Sequence, residues 1–257
     1  MKDCNPQWTP AAPGSKLEKS LPDTVDPEAK DFPYREAVGS LLWLARTSRP
    51  DILYAVNQLG AHAMNPNLSH VTAVRRVLRY LKGTKELKMT LRRGDNLILR
   101  AFVDADYAGE PELNDHPMRS LTGMVAYIHG IGPIYCQSSL QSTIARSTAE
   151  AEYRATATAG MFCSGFRQLL GELGFPQEGP TIIHNDNAAC LAMVKNKSSG
   201  SNTRHIKLQF HFIRELVYEG EIRVDYCPTD RMIADIMTKA LPKPKFEELR
   251  NVLMNQL

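Results

Sequence analysis

The spacing of apolar residues changes near Gly94, and this change constrains the fold more than any other feature of the chain. Between residues 34 and 93, apolar side chains recur every three or four positions, as on one face of a helix. The pattern predicts three helices: one from Tyr34, one after the turn at residues 48–51, and one over residues 70–81 that ends at Gly83. We expect their apolar faces to form core rather than a binding surface.

Beyond Gly94 the pattern becomes that of strands alternating with helices. Residues 97–104 form a predicted strand with Leu99, Ala101 and Val103 on one face and Asp104 near its end. Further strands are predicted over residues 122–130, 131–137, 181–185 and 221–227, and further helices over residues 148–173, 187–194, 205–219 and 231–241. Three strands followed by alternating helices and strands predict an α/β fold with a mixed sheet.

Composition is ordinary, with 43% hydrophobic and 23% charged residues in 257, enough for one large domain or two small ones. The chain has no apolar run of membrane-spanning length and no signal-peptide pattern at its start. Its five cysteines are scattered without a CxxC pair, which favours a reducing, intracellular location and argues against a structural zinc ion.

The net charge of +3 is too small to indicate a nucleic-acid partner by itself. One segment of the third predicted helix and its continuation is nevertheless strongly basic, and such a run can follow a phosphate backbone. The alternative, a solvated helix face, is favoured when a charge run stands alone. The run comprises Arg75, Arg76, Arg79, Lys82, Lys85, Lys88, Arg92 and Arg93, with Glu86 as its one acid.

Four widely spaced carboxylates occupy the positions where an α/β sheet presents chemistry: a strand, a helix, a strand end and a late helix. They are Asp104, Glu150, Asp186 and Asp235. Carboxylates that converge with no Lys or Arg between them repel one another, and Mg²⁺ relieves the repulsion. Two such ions about 4 Å apart activate water and stabilise the leaving oxygen of a phosphodiester. The set therefore predicts a metal-dependent nuclease site.

Each carboxylate also has a simpler interpretation. Asp106 shares a strand face with Asp104, but Asp is common in turns. Glu150 and Glu152 cannot both face one site on a helix, and physical reasoning leaves the choice between them open. Asp186 is placed where an Asp often caps a helix.

Asp235 lies in an apolar stretch, where a buried acid needs a partner such as a metal.

The segments around these carboxylates form an ordered set of motifs. The chain resembles the ribonuclease H domain, with the preceding reverse-transcriptase connection segment, of the Pol polyprotein of copia-type LTR retrotransposons. The resemblance runs from about Tyr34 to Leu249. It is carried by residues 34–59, 104–109 (DADYAG), 119–128 (RSLTGMVAYI), 147–157 (STAEAEYRATA), 184–192 (HNDNAACLA), 204–216 (RHIKLQFHFIREL) and 226–242 (YCPTDRMIADIMTKALP).

The resemblance implies a ribonuclease H-like mixed five-stranded sheet flanked by helices and preceded by a small helical connection segment. We therefore divide the chain into an irregular Pro-rich arm (1–33), a connection segment (34–93), a ribonuclease H-like domain (94–242) and a C-terminal helix or tail (243–257). The resemblance also implies location in cytoplasmic virus-like particles or the nucleus, without a signal in the sequence.

The same resemblance implies an endonuclease that cuts the RNA strand of RNA·DNA hybrids during reverse transcription. Its cofactor would be two Mg²⁺ ions, with Mn²⁺ as a substitute, held by Asp104, Glu150, Asp186 and Asp235; the resemblance selects Glu150 over Glu152. The implied partners are the hybrid and the polymerase domain of the same polyprotein, and no membrane. Residues expected to contact nucleic acid are Arg119, Arg204 and His205.

Two departures from the family pattern favour an alternative. Residues 137–141 (QSSLQ) lack the lysines that the family often carries there, and no Tyr-x-Asp-Asp polymerase motif occurs. The alternative is a catalytically inactive, retrotransposon-derived remnant that binds nucleic acid or serves a structural role.

Overall fold

The computed structural model describes residues 3–15, 17–20, 27–94, 97–109, 118–195 and 204–256. Of residues 27–28 and 204–210 it describes the backbone. The helices are α1 (Pro27–Lys30), α2 (Tyr34–Thr47), α3 (Leu53–Gly60), α4 (Leu68–Gly83), α5 (Thr148–Glu172), α6 (Ala188–Lys195), α7 (Arg204–Tyr218) and α8 (Lys243–Leu253). The strands are β1 (Leu99–Asp106), β2 (Leu121–Ile128), β3 (Gly132–Leu140), β4 (Thr181–Asn185) and β5 (Ile222–Tyr226).

The five strands form one mixed sheet in the order β3-β2-β1-β4-β5. Pairing is antiparallel between β3, β2 and β1 and parallel between β1, β4 and β5. The predicted mixed five-stranded sheet is therefore confirmed. Since β1 and β4 run in the same direction, their carboxyl ends meet at one edge of the sheet, where side chains that follow them converge.

Helices α5, α6 and α7 cover one face of the sheet. Buried residues of this layer include Val103 of β1, Ile183 of β4 and Ala155 of α5. Gly160 of α5 faces Ile213 of α7, and a Cβ at this glycine would overlap the Cδ1 atom of Ile213. The absence of a side chain at Gly160 thus lets α7 approach α5 closely.

Helices α2, α3, α4 and α8 cover the opposite face. Val38, Val56 and Val77 share one buried cluster with Val125 of β2 and Phe246 of α8. The helices that the sequence predicted before residue 93 therefore pack into the same core as the sheet. Their apolar stripes are core, as predicted.

The basic run of α4 holds the beginning of the chain. Arg76 donates to the carbonyl and the hydroxyl of Thr9, at 3.2 and 2.9 Å. Arg79 donates to the carbonyl of Asn5, and Lys82 to that of Cys4. At these three positions the basic side chains bind the Pro-rich arm. They therefore neither follow a phosphate backbone nor lie on a purely solvated helix face.

The predicted helix over residues 231–241 is replaced by two short 3₁₀ helices, Thr229–Arg231 and Ile233–Met237. Five consecutive residues from Ile233 to Met237 are buried, whereas an α-helix on a surface would expose one side. The 3₁₀ turn fits because it crosses β2 at Gly123, where no side chain intervenes. In the described part of the chain, no helix combines the length and apolarity needed to cross a membrane.

Candidate metal centre

Three carboxylates converge at the edge of the sheet where β1 and β4 end. Asp104 lies near the end of β1, Asp186 directly follows β4, and Glu152 lies on α5, which packs across both strands. One oxygen from each lies within 4.8 Å of the others. Asp104 and Glu152 are buried, and Asp186 is half-buried. Such a set of hard oxygen donors around one point is suited to a divalent cation such as Mg²⁺.

Glu152 is held in place by neutral donors. Its Oε1 atom accepts from the backbone N–H of Ala105 at 3.2 Å, and Oε2 accepts from the Asn185 amide at 2.9 Å. Burial, and then the nearby charge of Asp104, raise the pKa of Glu152 to about 8. A cation between these carboxylates would stabilise their charged forms against both burial and mutual repulsion. The residues present therefore fit a metal ion.

Glu150 does not belong to this cluster. Its Oε1 atom accepts from the guanidinium of Arg154 at 2.8 Å, and Oε2 accepts from the backbone N–H of Arg146 at 3.0 Å. The structure therefore brings Glu152, and not the predicted Glu150, beside Asp104 and Asp186, and a role of either glutamate as a metal ligand stays a prediction. The reason is rotational: residues two apart on a helix point in nearly opposite directions, and the face of α5 that meets the sheet carries Glu152.

Asp186 is available to the cluster because another residue caps the following helix. Asn187 accepts from the backbone N–H of Cys190 at 2.9 Å, which makes Asn187 the N-cap of α6. Asp186 instead accepts from the hydroxyl of Thr229 at 2.8 Å. The capping interpretation of Asp186 does not hold.

Asp235 joins the cluster indirectly, through Lys239. The Lys239 Nζ atom lies 2.8 Å from an oxygen of Asp235 and 3.2 Å from an oxygen of Asp104. Burial and the charge of Asp104 raise the pKa of Asp235 to about 6, and Lys239 opposes this rise. A lysine thus lies between these two carboxylates and already reduces their repulsion.

Thr238 completes the connection by donating to Asp104 and, at 3.3 Å, to the carbonyl of Asp235. Sequence reasoning missed Lys239 and Thr238. The signal that could have found Lys239 is its spacing of four from Asp235, which is the spacing of an ion pair on one helix face.

Asp106 is not a member of the cluster. The carboxylate of Asp106 folds back toward Gly109, where an added Cβ would overlap it. Arg119 is half-buried just before β2. Arg204 and His205 lie at the start of α7, and their side chains are outside the described residues. The role of all three basic residues in nucleic-acid binding stays a prediction.

The antiparallel β3-β2-β1 half, the parallel β1-β4-β5 half and the flanking helices make up the mixed five-stranded α/β architecture that the sequence predicted. Similar solved structures include LC11-RNase H1, isolated from compost, with 14% identity, a TM-score of 0.39, and coverage of 62% of this chain and 96% of that one. Another is RNase H1 of Halobacterium salinarum, with 13% identity, a TM-score of 0.37 and coverage of 62% and 98%.

Sequence relatives define the family more narrowly. The Pol polyprotein from transposon RE2 of Arabidopsis thaliana is 38% identical over 96% of this chain, and that from transposon TNT 1-94 of Nicotiana tabacum is 36% identical over 96%. No family model matches the chain. The chain belongs to the retrovirus-related Pol polyproteins of copia-type transposons. It spans 16% of the length of the RE2 polyprotein and 18% of that of TNT 1-94.

Proposed function

We propose that the chain is a ribonuclease H that hydrolyses the RNA strand of RNA·DNA hybrids in a metal-dependent reaction during retrotransposon reverse transcription. The observation that carries the proposal is the convergence of Asp104, Glu152 and Asp186 at the carboxyl ends of two neighbouring parallel strands. Membership of the Pol polyprotein family supplies the context in which a hybrid would be the substrate.

Asp104, Glu152 and Asp186 would hold Mg²⁺, with Asp235 as a fourth carboxylate beside them. When bound, such ions lower the pKa of an attacking water and neutralise charge on the phosphodiester. The protein's own contribution is orientation: Ala105 and Asn185 fix the carboxylate of Glu152. Thr229 fixes Asp186 in the same way. Two ions and replacement by Mn²⁺ are part of the proposal.

Hybrid binding would combine contacts to the RNA 2′-hydroxyls with phosphate contacts from basic residues. Arg119 is a candidate for the phosphate contacts, as are Arg204 and His205. The polymerase domain of the same polyprotein would present the hybrid. Salt dependence of hybrid binding that becomes shallower in Arg119→Gln would support this contact.

The test is cleavage of an end-labelled RNA·DNA hybrid by the purified chain with Mg²⁺ or with EDTA. The chain offers a matched pair of variants, Glu152→Gln and Glu150→Gln, which remove the same carboxylate two residues apart. We expect Mg²⁺-dependent cleavage that falls at least about 100-fold in Glu152→Gln, the size of loss seen when one stabilising group is removed from a site. Glu150→Gln should retain most of it.

Loss in Glu150→Gln with retention in Glu152→Gln would overturn this set of ligands. Binding of the hybrid by folded protein, without cleavage in Mg²⁺ or Mn²⁺, would instead favour an inactive nucleic-acid-binding remnant.

A further inference from the structure

Lys239 is placed to act as a built-in counter-ion of the centre. Its ammonium group bridges Asp235 at 2.8 Å and Asp104 at 3.2 Å, and both carboxylates are buried while the lysine side chain is 38% exposed. A cation between two buried carboxylates relieves the same repulsion that a metal ion would relieve.

The bridge is built into the local backbone and is not a chance surface contact. The Lys239 backbone N–H donates to the carbonyl of Asp235 at 3.0 Å, which closes the turn that carries both side chains. Thr238 anchors the same turn to Asp104. The lysine therefore approaches Asp104 from a fixed direction.

The carboxylates on the other side of Asp104, Glu152 and Asp186, have different hydrogen-bond partners. The hydrogen bonds described for Glu152 come from Ala105 and Asn185, and that of Asp186 comes from Thr229. All three donors are neutral. The carboxylates without a cationic partner therefore lie on the side of Asp104 that faces Glu152 and Asp186, whereas the side that faces Asp235 already has a cation.

We infer that Lys239 serves as the cation of the Asp104–Asp235 pair in the protein without nucleic acid, so that this state takes up one divalent ion and not two. This inference rests on the proposed function, since it concerns the same metal centre. A second ion would enter only when Lys239 leaves the pair, which its partly exposed side chain can do as a phosphate group arrives to accept it.

The test is a titration of the full chain with Mn²⁺ in the absence of nucleic acid, with free Mn²⁺ followed by electron paramagnetic resonance. We expect one bound ion in the unmodified protein and in Lys239→Arg, which keeps a cation. We expect two in Lys239→Met. Lys85→Met is the charge-matched control, because Lys85 is exposed and pairs only loosely with Glu86 at 3.9 Å, and it should still bind one ion.

A double variant locates the second ion: Asp235→Asn in the Lys239→Met background should return the count to one. Circular dichroism of each variant checks folding. Two ions in the unmodified protein, or one in folded Lys239→Met, would overturn the role of Lys239 and leave the proposed nuclease intact. No bound ion in any folded variant would overturn the metal centre itself, and the proposed function with it.

Discussion

The α-carbon of Gly123 faces Thr238 so closely that a Cβ built on the glycine would lie 2.6 Å from the Thr238 Cγ2 atom. The same Cβ would lie 2.8 Å from the carbonyl oxygen of Ala234, which is backbone and cannot rotate away. Gly123 is also the cross-strand partner of Asp104. A missing side chain on β2 thus lets the turn that carries Asp235 and Lys239 reach Asp104.

We therefore expect Gly123→Ala to push this turn away from the sheet. The predicted cost is about 1–3 kcal/mol of the free energy of unfolding, as for other overpacked cores. The affinity for the first Mn²⁺ ion should fall as well, because the Thr238 hydroxyl would no longer hold the carboxylate of Asp104 in place. The control is Gly39→Ala on the exposed face of α2, where nothing lies within 4 Å of an added Cβ. There alanine should stabilise by about 0.5–1 kcal/mol. Equal denaturation midpoints for the two variants would contradict the close-approach argument.

Metal removal should lower the thermal stability of the folded chain. A ligand that binds the native state stabilises it, by about 1.4 kcal/mol at ten times its Kd. For a chain of this size that corresponds to a rise in Tm of about 2–4 °C between EDTA and saturating Mg²⁺. Differential scanning calorimetry should find the rise in Glu150→Gln and not in Glu152→Gln. A rise that survives in Glu152→Gln would show that the ion binds elsewhere.

Acid should destabilise the packing around His62 and His70. The two rings stack at 3.9 Å between centroids, and burial, with the nearby His70, lowers the pKa of His62 from 6.5 to about 4. Burial lowers the pKa of His70 as well, and its hydrogen bond with the carbonyl of Glu18 opposes this change. The Nδ1 atom of His70 accepts from the backbone N–H of Asn67 at 3.0 Å. For His62 the pKa is 6.5 in the unfolded state and about 4 in the folded state. Between these two values the unfolded state binds more protons than the folded state, so the free energy of unfolding falls as the pH drops from 6.5 toward 4.

By pH 5 the loss from His62 should reach about 2 kcal/mol relative to pH 7. Urea denaturation at the two pH values measures it. His62→Phe keeps a ring for stacking but cannot take up a proton, so its loss should be smaller. An identical pH dependence in the variant would remove His62 as the cause.

A buried ion pair holds the helices that precede the sheet. Asp51 accepts from two nitrogens of Arg49, at 2.9 and 2.8 Å, and from the hydroxyl of Tyr80 at 2.6 Å. Asp51→Ala would leave the Arg49 charge buried without its partner, at a cost of about 3–5 kcal/mol. The matched control is Asp225→Ala, which breaks the exposed pair with Arg223. Its Tm should hardly change, and a similar fall in both variants would argue against the buried pair.

Local patterns predicted most of the elements. The alternation around Val103 predicted the strand that carries Asp104. At the start of α5, Ser147 is a residue type that commonly caps helices, and it accepts from the backbone N–H of Glu150 at 3.2 Å. The segment around Asp235 is different: its apolar spacing suits an α-helix, yet it forms a 3₁₀ turn. Contacts with β2 decide this, and local spacing carries no information about them.

The sequence by itself determined the mixed α/β sheet, the carboxylates at its strand ends and the family, because these depend on the order and spacing of nearby residues. Only the tertiary structure decided that Glu152 rather than Glu150 joins Asp104 and Asp186, since this depends on the rotation of α5 against the sheet. It also decided that Lys239 lies between Asp104 and Asp235. Residues more than a hundred positions apart meet there through packing around Gly123, and no local pattern encodes such a meeting.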